Sequence, residues 1–249
     1  MKINKIILYD EPKVPELQIK KIEKFLKRLF SVEIEVRENI FQHSGISTHD
    51  EIAKTRIFNL KKPFKKQSCK NKKILFQEDN QEITLHDGFE LQKIITEAIS
   101  EKESILGILH VIFTDYLIGT FDEEDFRYHA RAMIGANPTV ISITGVIEAP
   151  AKPKQYYLEQ ITNSFLEKNE NIRKKYKGEF LEYHDLRISE VIEGYVLQAI
   201  IYHETGDAFC TDKCCRLYNS HWQKDLLFSQ IENKQFCKKH LEILSLLKN

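Results

Sequence analysis

Cys210, Cys214, Cys215, Cys237 and His240 are gathered in one short C-terminal stretch, while the fifth cysteine, Cys69, lies far upstream. Thiolates and imidazoles in close-spaced pairs are the donors of tetrahedral structural metal sites. Cys210 pairs with Cys214 or Cys215, and Cys237 pairs with His240 at C-x2-H spacing. Together they form a Cys3His set suited to zinc, with His221 between the pairs as an alternative fourth ligand. Buried reduced cysteines are the competing reading. The chain shows no export-type segment, which favours metal ligation over disulfides.

Just upstream, His203 and Glu204 end a strongly apolar helical pattern, and Gly206 follows. Ile188, Val191, Ile192, Tyr195, Val196, Ala199 and Tyr202 recur at the steps of one buried face, with His203 in register to share it. Gly206 stands where a left-handed residue ends a helix. The pattern predicts a helix over about 186–205 with an inward imidazole on its last turn. Zinc hydrolysis would need three protein ligands, an open position and a base. Reading His203-Glu204-Thr205-Gly206-Asp207 as such a site pairs His203 with Asp207 across a glycine that weakens the helix.

A second register, anchored on the cysteines, resembles the archaemetzincins within the metzincin (zincin) peptidases, whose helix carries H-E-x-x-H-x-x-G-x-x-H. In that family Cys follows the third His, a second Cys comes five residues on, Met two later, and a C-x-x-C lies further downstream. Cys210, Cys215, Leu217 and the pair Cys237/His240 match this tail, and Gly206 and His203 match the motif Gly and second His. The catalytic positions depart from it. Ala199 replaces the first His, Ile200 the Glu and Phe209 the third His, while Leu217 replaces the Met. The resemblance spans about 190–240. It selects Cys215 over Cys214 and implies a divergent archaeal-type member with a degenerate catalytic motif. Its Cys3His zinc would be Cys210, Cys215, Cys237 and His240. Apolar packing around His203 would fill the former catalytic cavity.

A second concentration of acid–base types runs through Asp122, Glu123, Glu124, Asp125, Arg127, His129 and Arg131. As a connection between buried strands it is either a solvated loop with a helical turn or a functional loop. In the functional reading His129, Arg131 and Tyr128 line a groove below His203 for an acidic or peptidic ligand. His110, Thr114 and Asp115 would lie nearby. The run 61–73 carries seven lysines around Cys69. With Phe64 its one aromatic, it lacks a stacking platform for single strands and reads as a solvated loop, the alternative being a landing patch for an acidic partner or nucleic acid.

Elements must hold these groups. Residues 3–9, a helix after Pro15 and an alternating 32–36 predict strand–helix–strand with parallel strands. A hairpin at 74–76 and 83–85, a helix at 88–99 and buried strands at 104–113 and 139–147 follow. Helices at 154–168 and 186–205 complete the pattern. The fold expected is α/β (α+β, zincin-like), a mixed twisted sheet flanked by helices with a C-terminal zinc-stabilised segment. It is read as a single domain, 1–249, with a sheet-rich part at 1–150, a helical part at 151–209 and a zinc-binding tail at 210–249.

Lys plus Arg equals Asp plus Glu, 37 each, so no overall field favours nucleic acid. No run approaches a membrane span, and a cytoplasmic protein is expected. The functional expectation is a zinc-binding, archaemetzincin-like protein without peptidase activity, acting as a binding or regulatory module with a peptide or protein partner. The alternative is a divergent zinc hydrolase using His203 with Glu204, Asp207 or His129 in a rearranged site.

Overall fold

The computed structural model describes residues 1–43, 48–67, 76–78, 81–162 and 166–248. It opens with β1 (Lys5–Tyr9), α1 (Ile19–Leu29) and β2 (Glu33–Arg37), and β2 lies parallel to β1. In α1, Ile19, Ile22, Phe25 and Leu26 are buried, while lysines between them stay wet. Burying each such side chain stabilises by roughly 1.5–3 kcal/mol, so charging the fully enclosed Ile22 would release the helix.

Next come α2 (Thr48–Lys54), β3 (Phe76–Glu78), β4 (Gln81–Ile83), β5 (Leu85–Asp87), α3 (Gly88–Ala98) and β6 (Ile108–Thr114). The β3–β4 hairpin is antiparallel, but its second strand ends at Ile83, and Leu85, expected in that strand, opens β5 of another sheet; residues 74 and 75 lie outside the described residues. Asp87 starts α3 by accepting the N–H groups of Phe89 and Glu90, both at 3.0 Å, which satisfies two of the free donors at a helix start.

The stretch 114–138 departs from expectation. It forms β7 (Leu117–Asp122), β8 (Arg127–Arg131) and β9 (Met133–Ile134), so the acidic run is the tip of a hairpin and not a loop with a helical turn. The apolar run 139–147 also divides, into β10 (Thr139–Ser142) and α4 (Ile143–Glu148). Ser142 Oγ accepts the Gly145 N–H at 2.7 Å and caps the new helix. A short apolar run does not by itself distinguish strand from helix, and this cap decides it.

The remainder is helical: α5 (Lys154–Thr162), α6 (Leu166–Lys175), α7 (Ile188–Thr205), α8 (Gln223–Leu227) and α9 (Lys238–Lys248), with a π-helical turn over Phe228–Asn233. The predicted 154–168 helix falls on α5 and the start of α6, and residues 163–165 between them lie outside the described residues.

The main sheet has the order β2-β1-β6-β10-β9, and a second joins β5-β7-β8. All neighbours in the main sheet are parallel except β9, an antiparallel edge strand on β10. Along β1, Ile6 and Leu8 pack with α1 and α7, whereas Ile7 and Tyr9 pack with α3. Burial on both faces explains the continuous apolar strands. This is a mixed α/β architecture with sheets flanked by helices and a Cys/His cluster near the C-terminus. No helix among the described residues is long and apolar enough to cross a membrane.

Candidate metal centre and the neighbouring cavity

Two short local structures build the metal corner. Cys210 N–H donates to the Leu217 carbonyl at 2.7 Å, and Cys215 N–H donates to the Asp212 carbonyl at 2.9 Å. The resulting turn aims both thiols at the first turn of α9, where His240 lies. Cys210 Sγ is 3.7 Å from Cys237 Sγ, Cys215 Sγ is 3.5 Å from His240 Nδ1, and Cys237 Sγ is 3.1 Å from the same nitrogen. All four donor atoms lie within 4.8 Å of one another. A tetrahedron with metal–sulfur bonds of about 2.3 Å has edges near 3.8 Å, so the donor set fits one four-coordinate ion.

The electrostatics also suit a cation. Burial pushes the Cys215 thiol up to about 12 and raises that of Cys210. At Cys237 burial acts in the same direction, but hydrogen bonds from the His240 N–H and the neighbouring thiols outweigh it and lower the thiol. Burial also lowers His240, keeping the imidazole neutral with a lone pair to give. The Asp212 N–H reaches Cys210 Sγ at 3.4 Å. Such amide donors stabilise thiolates around a bound metal.

Cys214 is exposed and outside the cluster. His221 likewise lies outside the cluster; it is exposed and lines a separate cavity. Cys69 and residues 68–73 of the lysine run lie outside the described residues, while Lys61, Lys62, Lys65 and Lys66 are exposed.

A polar network that the sequence reading missed ties this corner to α7. Arg216 is buried, its Nη2 lies 3.0 Å from Glu193 Oε2, and its guanidinium stacks 4.8 Å from the Phe25 ring. Gln230 Nε2 donates to the Arg216 carbonyl at 2.6 Å. Gly194 makes room for that glutamine, since a Cβ there would meet Gln230 Oε1 at 1.7 Å. The position of Arg216 between two buried residues, Cys215 and Leu217, was the available cue.

The end of α7 differs from expectation in one respect. Gly206 closes the helix with φ 82°, its N–H donating to the Tyr202 carbonyl at 2.7 Å. His203, however, is half-buried rather than inward, with Nε2 2.7 Å from the Leu106 carbonyl. Twelve residues of α7 are buried around nearly its whole circumference, so position on one face did not determine depth. Helical spacing put His203 in register, but its turn emerges from the core.

The other members of the hypothetical rearranged site are engaged elsewhere. Glu204 accepts the N–H groups of Lys2 and Ile3 at 2.9 and 2.8 Å. Asp207 pairs with Lys239 at 3.0 Å, and His129 lies 2.8 Å from Asp125. Ala199 and Ile200 are core residues, whereas Phe209 is 40% exposed. The three substituted positions therefore do not pack together around His203. Instead, Phe209 helps to line a cavity of about 420 Å³ between α7 and the β8–β9 segment.

Tyr195 and Tyr202 present this cavity with the α7 side, and Ala130–Gly135 form the opposite wall. Arg131 contributes its one Arg or Lys side chain, held by Nε–H donation to Thr120 Oγ1 at 2.8 Å. No Asp, Glu or Cys lines it. The expected grouping does not form: the strand pleat puts Tyr128 on the face opposite His129 and Arg131, and of the three only Arg131 lines the cavity. Tyr128 faces the small core and donates its hydroxyl to Asp87 at 2.6 Å, while His129 points toward the hairpin tip. His110 is also internal, bonded to Tyr9 Oη at 3.0 Å.

A family model described as "Probable metallopeptidase family (DUF6775)" matches residues 2–247. No curated protein and no solved structure matches the chain. Because the family model covers nearly the whole sequence, from β1 through α9, the chain belongs to this metallopeptidase-like family.

Proposed function

We propose that the chain is a zinc-stabilised, archaemetzincin-like protein that has lost peptidase chemistry and binds a peptide segment of a partner in the cavity between α7 and β9. The carrying observation is the placement of donors. Among the described residues the Cys3His set is the one group of three or more His, Cys, Asp or Glu side chains close enough to share an ion. Zinc is the ion that this soft thiolate–imidazole set favours. When bound, zinc would hold the C-terminal segment to the end of α7 and leave no open position for substrate.

The cavity supports binding rather than hydrolysis. Aromatic rings from Tyr195, Tyr202 and Phe209 offer contact area, Arg131 offers a cation for a carboxylate, and the edge strand β9 borders the same space. Among the described residues His221 is the one imidazole that lines the cavity, and no set of metal donors stands beside that ring.

Metal counting on purified protein tests the proposal together with an assay on a mixed fluorogenic peptide library. One zinc per chain, no hydrolysis, and no change in either on His203→Ala are expected. A second zinc that depends on His203, or turnover abolished by that substitution, would overturn the loss of chemistry. Peptide binding unaffected by Tyr202→Ala and Arg131→Met would overturn the binding site.

A further inference from the structure

A second, larger cavity of about 600 Å³ lies on the other face of the main sheet. Strands β1 and β6 are adjacent and parallel, yet the chain leaves their C-terminal ends in opposite directions. From β1 it turns through α1 to β2, on one side; from β6 it continues toward β10, on the other. In open α/β sheets this reversal leaves a crevice beyond the strand ends, where ligands bind. The cavity opens there, bordered by Tyr9 and Glu11 after β1 and by Thr114, Asp115 and Tyr116 after β6. Its size falls in the range of small-molecule sites, about 300–1,000 Å³.

The lining specifies a ligand chemistry. Leu91 and Ile95 of α3 and Ile112 of β6 form an apolar floor. Two carboxylates, Glu11 and Asp115, stand at the rim, each following the end of one of the two strands. Neither has a salt-bridge or hydrogen-bond partner for its side chain among the described residues. Both act electrostatically on the Tyr116 hydroxyl, as does Arg56 with the opposite sign. Among the residues that line the cavity, Glu11 and Asp115 are the charged ones, so the rim carries negative charge.

We infer that this switch-point cavity is a binding site for a small primary amine with an apolar body, its ammonium held between Glu11 and Asp115 and its body on the Leu91–Ile95–Ile112 floor. The site is independent of the Cys3His corner and of the α7 cavity, and it involves none of their residues. An ammonium supplies the charge and hydrogen-bond donors the two carboxylates lack, and such charge-assisted bonds are the stronger kind. A carboxylate or phosphate ligand would instead meet repulsion at the rim.

Titration calorimetry on the zinc-loaded full chain, with 2-phenylethylamine, 2-phenylethanol and phenylacetate in turn, tests the site. Saturable amine binding is expected, with the alcohol weaker by roughly tenfold or more and phenylacetate not bound. Glu11→Gln with Asp115→Asn should reduce amine affinity to that of the alcohol while leaving the alcohol unchanged. Both side chains lie at the rim, so the variant should keep the wild-type melting profile, measured alongside. Leu91→Trp, which fills the floor, should remove both ligands and Tyr202→Ala neither. Equal amine binding by wild type and the double carboxamide variant, preference for phenylacetate, loss on Tyr202→Ala, or no saturable binding would each overturn the inference.

Discussion

If the Cys3His set holds zinc as proposed, stripping the metal should release α9 while the sheet stays folded. The helix spans 11 residues, and His240 and Leu244 are its buried side chains. Burial of Leu244 contributes about 2 kcal/mol, and the partly buried Ile243 and Leu247 add roughly that much together. Against this stands the backbone ordering of the segment at about 1 kcal/mol or more per residue. A helix this short is marginal in water without external support. A structural zinc contributes on the order of 10 kcal/mol in small domains, so the ion outweighs all the apolar contacts of the helix. Hydrogen exchange with and without a strong chelator, with ion content measured on the same samples, would read this out. In the metal-free protein the amides of residues 238–248 should exchange at nearly unstructured rates, while those of α7 remain protected. Protection of α9 persisting alongside α7 in verified metal-free protein would refute the reasoning, because apolar packing alone would then be enough.

Three further outcomes are expected. Gly194→Ala should destabilise by about 2–4 kcal/mol by displacing Gln230 and breaking its bond to Arg216; denaturant unfolding should show Gln230→Ala restoring part of the loss, and strict additivity would count against the contact. Arg37 bridges Glu35 and Glu103, each at 2.6 Å, and its hydrogen bonds to Glu35 hold that carboxyl down at about 2. A depressed carboxyl contributes stability that is present above its unfolded value of about 4.3 and is lost as pH falls through about 2. Arg37→Met should therefore be less stable near neutrality, with the gap to wild type closing across that window in pH-dependent thermal melts; a gap independent of pH would contradict the assignment. Glu204→Gln should loosen the amides of Lys2 and Ile3 and cost roughly 1 kcal/mol, seen as faster exchange at those amides, with the zinc content unchanged.

The parts of this molecule legible in its sequence were those encoded locally. The Cys/His cluster could be read because its members come as close-spaced pairs, although spacing alone left Cys214 and Cys215 open and the family resemblance chose Cys215, the one that lies in the cluster. The opening β1–α1–β2 unit was equally plain, since the alternation in β2 and the helical spacing of α1 belong to different periods. The β7–β8 hairpin was hidden because its charged tip, Asp122 to Arg127, dominates a stretch whose burial is confined to Leu117–Gly119 and Tyr128 and so gives no alternation. His203 was misplaced for a different reason. A helix buried on nearly all sides carries no stripe to orient it, and depth is set by where the neighbouring chain ends. Of the α7 cavity only Arg131 had been expected in a groove near the end of that helix, because Tyr195, Arg131 and Phe209 meet only through the tertiary fold.

The chain carries a single tryptophan, Trp222, and its position has a spectroscopic consequence. Its backbone bridges Ala151, with Gln223 N–H donating to the Ala151 carbonyl and Ala151 N–H donating to the His221 carbonyl, both at 2.8 Å. The indole is 38% exposed and lies beneath the Lys154 ammonium at 5.9 Å. Excitation on the red edge of tyrosine absorption would thus report on one place, the join between the C-terminal segment and the chain entering α5. Emission colour and quencher access at that join would register partial opening of the segment while the far-ultraviolet signal of the sheet and α7 stays constant, so the native sequence already supplies its own site-specific fluorophore.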